Sequence, residues 1–332
     1  MTKSLFVMHK RFIDLVYPQN VTEEIKKLSD EVAPPMTADE LLKNKSILKD
    51  VEVLFSGWGG PTFDKELLDA FPHLKAIFYA AGTIKSIVTE EFWERNIKIT
   101  SAYEANAVPV AEYTLSQILF SLKSGWKFVK EVKENRKYPP KPFHHIAGGY
   151  GSTVGLISLS TIGRKVNNLL QNFDVEILAY DPFVNTEEAA QLNVELCSLH
   201  EIFERSDVVS LHTPLLPETV GMITGEHFQV MKNDATFINT ARGAIIKENE
   251  LIEVLKERPD LTAILDVTYP EPPTKDSPLY DLSNAIITPH IAGSEGPECG
   301  RMGAYMLSEF KRYLNGEQLK WEVSKEKFKT MA

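Results

Sequence analysis

Three residues in the second half of the chain have complementary chemical capabilities: Arg242, Glu271 and His290. The planar fork of an arginine can hold a carboxylate bidentately and polarise an adjacent carbonyl. A glutamate beside a histidine favours the imidazolium and readies it to give up a proton near neutral pH. With hydride delivered to the carbonyl carbon, such a set reduces a 2-oxo acid to a 2-hydroxy acid, and the reverse reaction needs the neutral imidazole. Singly, each residue has an ordinary explanation: a surface charge at a strand end, a solvated carboxylate between prolines, a loop histidine packed after Pro289. Their joint placement favours the catalytic reading.

That placement follows from the apolar runs before them. Val208 to Leu211 precedes His212-Thr213-Pro214, and Ala235 to Ile238 precedes Asn239-Thr240-Ala241-Arg242-Gly243. Thr262 to Leu265 precedes Asp266 and Glu271, and Ala285 to Thr288 precedes His290. Runs of this length read as buried parallel strands. In open parallel sheets, ligands bind outside the C-terminal ends of the strands, so these segments map to one rim.

The stretch Ser152 to Asp181 supplies the unit around which such a sheet is built. Val154 to Leu159 reads as a strand, Ser160-Thr161 as a turn, and Ile162, Val166, Leu169, Leu170 and Phe173 recur at helical spacing. A second run, Val175 to Tyr180, ends in Asp181. A dinucleotide site has this order, with pyrophosphate at the helix N-terminus and ribose on the acid. The fingerprint Gly-x-Gly-x-x-Gly reads here Ser158-Leu159-Ser160-Thr161-Ile162-Gly163, so only the third glycine is present. Taken alone, an ordinary strand-helix-strand unit and a cofactor site fit this stretch about equally. Asp181, with no basic replacement in Pro182 or Phe183, favours NAD over NADP; an Asp that merely caps a turn is the alternative.

The totals bound the class. A chain of 332 residues, 43% hydrophobic and 25% charged, predicts two globular domains. The net charge of -10 argues against a general binder of nucleic acid or anionic membranes. The two cysteines, Cys197 and Cys299, lack metal-ligand partners at short spacing, so neither a disulfide scaffold nor a metal site is expected. No apolar run is long enough for a signal peptide core or a membrane span, and the expected compartment is the cytoplasm.

In the first hundred residues, strands are expected at Ser4 to Met8, Val51 to Phe55, Leu74 to Tyr79 and Ile97 to Thr100. Helices lie between them, one capped by Thr62 and one by Thr89. From Pro109 one long helix is expected, with Leu115, Ile118, Leu119, Leu122, Trp126 and Val129 on one face. A proline- and glycine-containing linker, Lys133 to Gly151, carries His144 and His145, read as a solvent-exposed pair. A capping-box helix at Ser198, a helix from Glu248 to Glu257 and another from Glu298 to Leu314 complete the pattern. Trp58, Tyr79 and Tyr103, at or near strand ends, suit either a substrate pocket or core packing.

The segments VAEYTLSQIL from Val110, Val154 to Asp181, DVVSLHTPLLPETVGMI from Asp207, FINTARGAIIKENEL from Phe237, LDVTYPEPP from Leu265 and ITPHIAGS from Ile287 together resemble the D-isomer-specific 2-hydroxyacid dehydrogenase family. The resemblance implies an α/β fold of two doubly wound parallel-sheet domains. A Rossmann NAD-binding domain, residues 109–295, is inserted into a flavodoxin-like substrate domain, residues 1–108 and 296–332. It places catalysis on Arg242, Glu271 and His290. It puts the cofactor along Ser160, Thr161, Ile162, Gly163, Asp181, Thr213, Thr240, Ala241, Arg242, Asp266, His290 and Gly293, and the substrate carboxylate on Gly82, Thr83 and Arg242. It further implies NAD as cofactor, a small 2-hydroxy or 2-oxo acid as substrate, and a homodimer formed through the cofactor domain.

Two departures stand out. Ser158 and Ser160 occupy the first two glycine positions of the turn. In the substrate loop the family's Gly-x-Gly-Val-Asp run reads Ala80-Ala81-Gly82-Thr83-Ile84, which either alters substrate choice or is a local packing variation. The serine-containing turn also suits a catalytically weak NAD-binding regulatory protein on the same fold, whereas the three rim residues favour the enzyme.

Overall fold

A computed structural model of the chain describes residues 1–141 and 146–331; His144 and His145 lie outside the described residues. Two compact units emerge, Met1–Ala107 with the chain from Ser294 onward, and Val108–Gly293.

The first unit is built on five parallel strands, β1 (Thr2–Val7), β2 (Ser29–Glu31), β3 (Val53–Ser56), β4 (Ala76–Tyr79) and β5 (Lys98–Ser101). Their order is β2-β1-β3-β4-β5, the flavodoxin-like order. Alternating side chains of each strand enter opposite cores. Leu5, Leu54 and Ile77 join one, and Phe6, Phe55 and Phe78 the other. β3 and β4 are buried along their whole length and β1 over Ser4–Val7, which is why these three read as apolar runs rather than alternating ones. Phe6, Phe55 and Phe78 stack across β1, β3 and β4 at 5.0 and 5.4 Å, and Phe310 from the helix Cys299–Leu314 meets Phe55 edge-on at 5.1 Å.

The second unit has seven parallel strands: β6 (Ser152–Ile157), β7 (Val175–Tyr180), β8 (Glu195–Leu196), β9 (Val208–Leu211), β10 (Thr236–Asn239), β11 (Thr262–Leu265) and β12 (Ala285–Ile287). The order β12-β11-β10-β9-β6-β7-β8 contains the doubly wound dinucleotide-binding order, with one further strand at its edge. The order reverses at β6 and β9, where the turn after β6 and the His212 segment emerge side by side.

Some expectations need correction. The long helix begins not at Pro109 but at Tyr103 and carries Pro109 inside it; it stops at Ser121, and a second helix runs Gly125–Asn135. The break lies at Ser124, whose φ is +50°. Val129 is 41% exposed and does not share the buried face of Ile118 and Leu122. Phe173 falls beyond the helix Thr161–Leu170. The helix expected after Thr62 starts at Lys65, capped by Asp64, while the Thr62 hydroxyl donates to the Ser86 carbonyl. Among the described residues, no helix is long and apolar enough to cross a membrane, and no cluster of three His, Cys, Asp or Glu could hold a metal ion.

Candidate active site

The C-terminal rim of the seven-stranded sheet carries the residues singled out above. Asn239, fully buried at the end of β10, staples the turn that presents Arg242. Its Oδ1 accepts from the Ala241 amide at 3.0 Å and its Nδ2 donates to the Arg242 carbonyl at 3.1 Å. The guanidinium donates to the Ala241 carbonyl at 2.7 Å. Burial lowers the Arg242 pKa and the nearby Glu271 charge opposes that shift. Gly243 is required by contact: a Cβ there would lie 2.0 Å from the carbonyl carbon of Thr268. The Arg242 turn is thereby pressed against the loop that leads to Glu271.

Asp266, 2% exposed at the end of β11, organises the His290 loop. Its carboxylate accepts from Thr288 Oγ1 at 2.5 Å and from the amides of Ile291 and Ala292 at 2.9 Å each. Its carbonyl accepts from the His290 amide at 3.0 Å. Tyr113 braces Thr288 from the helix Tyr103–Ser121, with 3.0 Å between their hydroxyl oxygens. So held, His290 adopts a left-handed φ of +56°, uncommon for a residue with a side chain and typical of sites where the surroundings enforce it. Its Nδ1 meets Glu271 Oε1 at 2.5 Å, and both side chains are more than 40% exposed. Arg242, Glu271 and His290 therefore share one rim, with Asp266 beneath them as an anchor.

At the strand-order reversal, the turn after β6 meets the helix Thr161–Leu170. Gly163 permits close helix-strand packing, since a Cβ would lie 2.1 Å from the Ser158 carbonyl oxygen. Ser160 stands at the N-cap position without capping the helix; its hydroxyl donates instead to the His212 carbonyl at 2.7 Å. The amides of Thr161 and Ile162, in the first turn, have no intrahelical acceptor, so this N-terminus suits a pyrophosphate. Asp181 is more engaged than its sequence position suggests. Oδ2 accepts from the Leu159 amide at 2.7 Å and the Ser158 hydroxyl at 3.2 Å, and Oδ1 from the Phe183 amide at 2.9 Å. A carboxylate has about four acceptor positions, so one remains for a ribose hydroxyl. The donor set thus fits a dinucleotide.

Thr213 and Thr240 are largely buried on the same rim, Thr240 Oγ1 3.1 Å from Thr114 Oγ1. Gly293 follows the anchored loop directly. In the sequence His212 stands out only as a strand-end residue. Burial pushes its imidazole down to about 3; Nε2 bonds Ser210 Oγ at 3.0 Å, and Nδ1 has no partner among the described residues. Its depth in the sheet, the signal that marks it, is not readable from one sequence.

In the first unit, the loop after β4 is tied from below. The Ser101 hydroxyl donates to the carbonyls of Ala81 and Gly82, and Thr83 Oγ1 accepts from the Lys85 amide at 3.3 Å. Asn106 Nδ2 lies 3.6 Å from where a Gly82 Cβ would sit. Tyr79 is 5% exposed within a core, and burial pushes its phenol up to about 12. Tyr103 is held by Lys327 through a hydrogen bond to its hydroxyl and a cation-π contact. Trp58 packs edge-on against Phe12 at 5.2 Å.

Comparison with known proteins agrees with this geometry. The family model described as D-isomer specific 2-hydroxyacid dehydrogenase, NAD binding domain, matches residues 115–292. A D-3-phosphoglycerate dehydrogenase of Methanocaldococcus jannaschii is 34% identical over 298 residues, covering 90% of this chain and 55% of that protein. A glyoxylate reductase of Thermofilum pendens is 30% identical over 328 residues, 96% of each chain. The chain thus spans about half the length of the D-3-phosphoglycerate dehydrogenases it matches, and nearly all of the glyoxylate reductase. The NAD-complexed D-isomer specific 2-hydroxyacid dehydrogenase of Lactobacillus delbrueckii ssp. bulgaricus superposes with a TM-score of 0.78. It is 21% identical, with 97% of this chain and 100% of that one covered, and it shows the shared fold.

Proposed function

The chain belongs to the D-isomer-specific 2-hydroxyacid dehydrogenase family, and from that premise we propose that it interconverts a small D-2-hydroxy acid and its 2-oxo acid with NAD as cofactor. The observation that carries this reading is the 2.5 Å contact between His290 and Glu271, on the same rim as the half-buried Arg242. When bound, NADH supplies the hydride that the substrate carbon takes up. Arg242 holds the substrate carboxylate and polarises the neighbouring carbonyl oxygen. His290, its Nδ1 proton held by Glu271, gives the Nε2 proton to that oxygen as it becomes a hydroxyl, and takes it back in oxidation. Glu271 orients the ring and offsets the positive charge of the imidazolium. Asp266 keeps the loop in position through the Thr288, Ile291 and Ala292 bonds.

We assign residues 109–295 to cofactor binding and residues 1–108 with 296–332 to the substrate, whose carboxylate would meet the Gly82-Thr83 loop. The cofactor would lie along Ser160 to Gly163, Asp181, Thr213, Thr240 to Arg242, Asp266, His290 and Gly293. A homodimer through the cofactor domain is supported by Phe120 and Val129, 39% and 41% exposed on its helices. A cytoplasmic setting is supported by the free thiols of Cys197 and Cys299. The test is a panel of 2-oxo acids, glyoxylate first, mixed with the protein and NADH while absorbance of the reduced nicotinamide is followed. Oxidation with at least one member is expected; none across the panel, in a protein that binds NADH, would contradict the reading.

A further inference from the structure

Ser158 is an anomaly in the dinucleotide turn. Its φ of +78° lies in the left-handed region that glycine enters freely and that a Cβ disfavours. The side chain is nevertheless put to use. Its Oγ lies 3.2 Å from Asp181 Oδ2, and because a carboxylate only accepts, Ser158 is the donor. With the Leu159 and Phe183 amides on the same carboxylate, the rotation of Asp181 is fixed from three directions. The proton of Ser158 faces Asp181, so the two lone pairs of its Oγ remain for other donors. The turn after β6 and the end of β7 thus combine into a surface made of acceptors.

Such a surface matches two adjacent hydroxyl donors, the cis-diol of a ribose. It is mismatched to a ribose phosphate, which brings acceptors and negative charge of its own. We propose that Ser158 is a cofactor-specificity residue, forming with Asp181 a two-residue acceptor for the adenosine ribose diol. The strained serine then contributes directly to binding at a position where glycine would merely fit. This rests on the reading of the second unit as an NAD site.

The test compares the full-length parent with S158G and S158A. Each is titrated with NADH and with NADPH by nicotinamide fluorescence, and melted without cofactor. Both variants are expected to bind NADH about fivefold more weakly, the scale of one neutral hydrogen bond, with a smaller change for NADPH, so that the preference for NADH narrows. S158G is expected to melt above S158A, because glycine relieves the backbone and alanine keeps the strain while losing the bond. An S158G that binds NADH as tightly as the parent would overturn the proposal, as would equal losses for NADH and NADPH. A parent that binds neither nucleotide would overturn the NAD reading itself, an outcome distinct from these two.

Discussion

Nδ1 of His290 lies 2.5 Å from Oε1 of Glu271, a contact between side chains 19 residues apart brought together by loops after two neighbouring strands. Since a carboxylate only accepts, Nδ1 carries the shared proton and Nε2 is the atom left to exchange a proton with a ligand. The ring's tautomer and direction are thus set by a residue that need not touch the substrate.

Replacing Glu271 with glutamine keeps the shape and removes the charged acceptor that faces Nδ1 of His290. The kcat for 2-oxo acid reduction is expected to fall by about 100-fold, with KM changed by no more than about threefold. Steady-state rates on the parent and E271Q decide this, and an unchanged kcat would remove Glu271 from catalysis.

Arg242 is half-buried, and its turn is fixed by Asn239. Lysine at this position keeps the charge but loses the planar fork, so R242K is expected to raise KM for the 2-oxo acid about tenfold or more. Fluorescence titration should show NADH affinity changing less than that.

Two glycines are fixed by contact rather than by φ. A Cβ at Gly163 or Gly243 would lie 2.1 or 2.0 Å from backbone atoms of Ser158 or Thr268. G163A and G243A are each expected to lose about 2–4 kcal/mol in urea unfolding, whereas G149A, whose Cβ would meet nothing within 4 Å, should stay within about 0.5 kcal/mol of the parent.

His212 predicts an acid-side loss of stability. Burial depresses its folded-state pKa from 6.5 to about 3, so between these values the unfolded chain binds a proton that the native state does not. The contribution is fully present above pH 6.5 and declines as pH falls, at up to about 1.4 kcal/mol per unit. Urea unfolding of the parent and H212N at pH 7 and pH 5 checks the sign: the parent should lose more between the two pH values than the variant.

Much of this fold is legible in the residues. The runs Val175 to Tyr180 and Thr262 to Leu265 coincide with β7 and β11 because strands covered on both faces are mostly apolar, with Glu176 the exposed exception in β7. Two of the four edge strands offer no such signal: Ser29–Glu31 and Glu195–Leu196 are short and largely polar and pass unnoticed. Pro109 suggested a helix start, yet it lies in the second turn of a helix opened by Tyr103. In the candidate site, residue types and strand-end positions pointed to Arg242, Glu271 and His290. The role of Asp266 as anchor of the His290 loop, and the bond between Ser158 and Asp181, depend on backbone paths that spacing alone does not reveal.

In the proposed reaction His290 moves the proton while the second unit binds the nucleotide independently of it. The most direct measurement is single-turnover oxidation of prebound NADH by a 2-oxo acid that the parent accepts, run beside H290N, with NADH affinity determined on both. H290N is expected to react at a rate lower by about 100-fold or more, with NADH affinity within about threefold of the parent. A variant that oxidises NADH at the parental rate would contradict that role of His290.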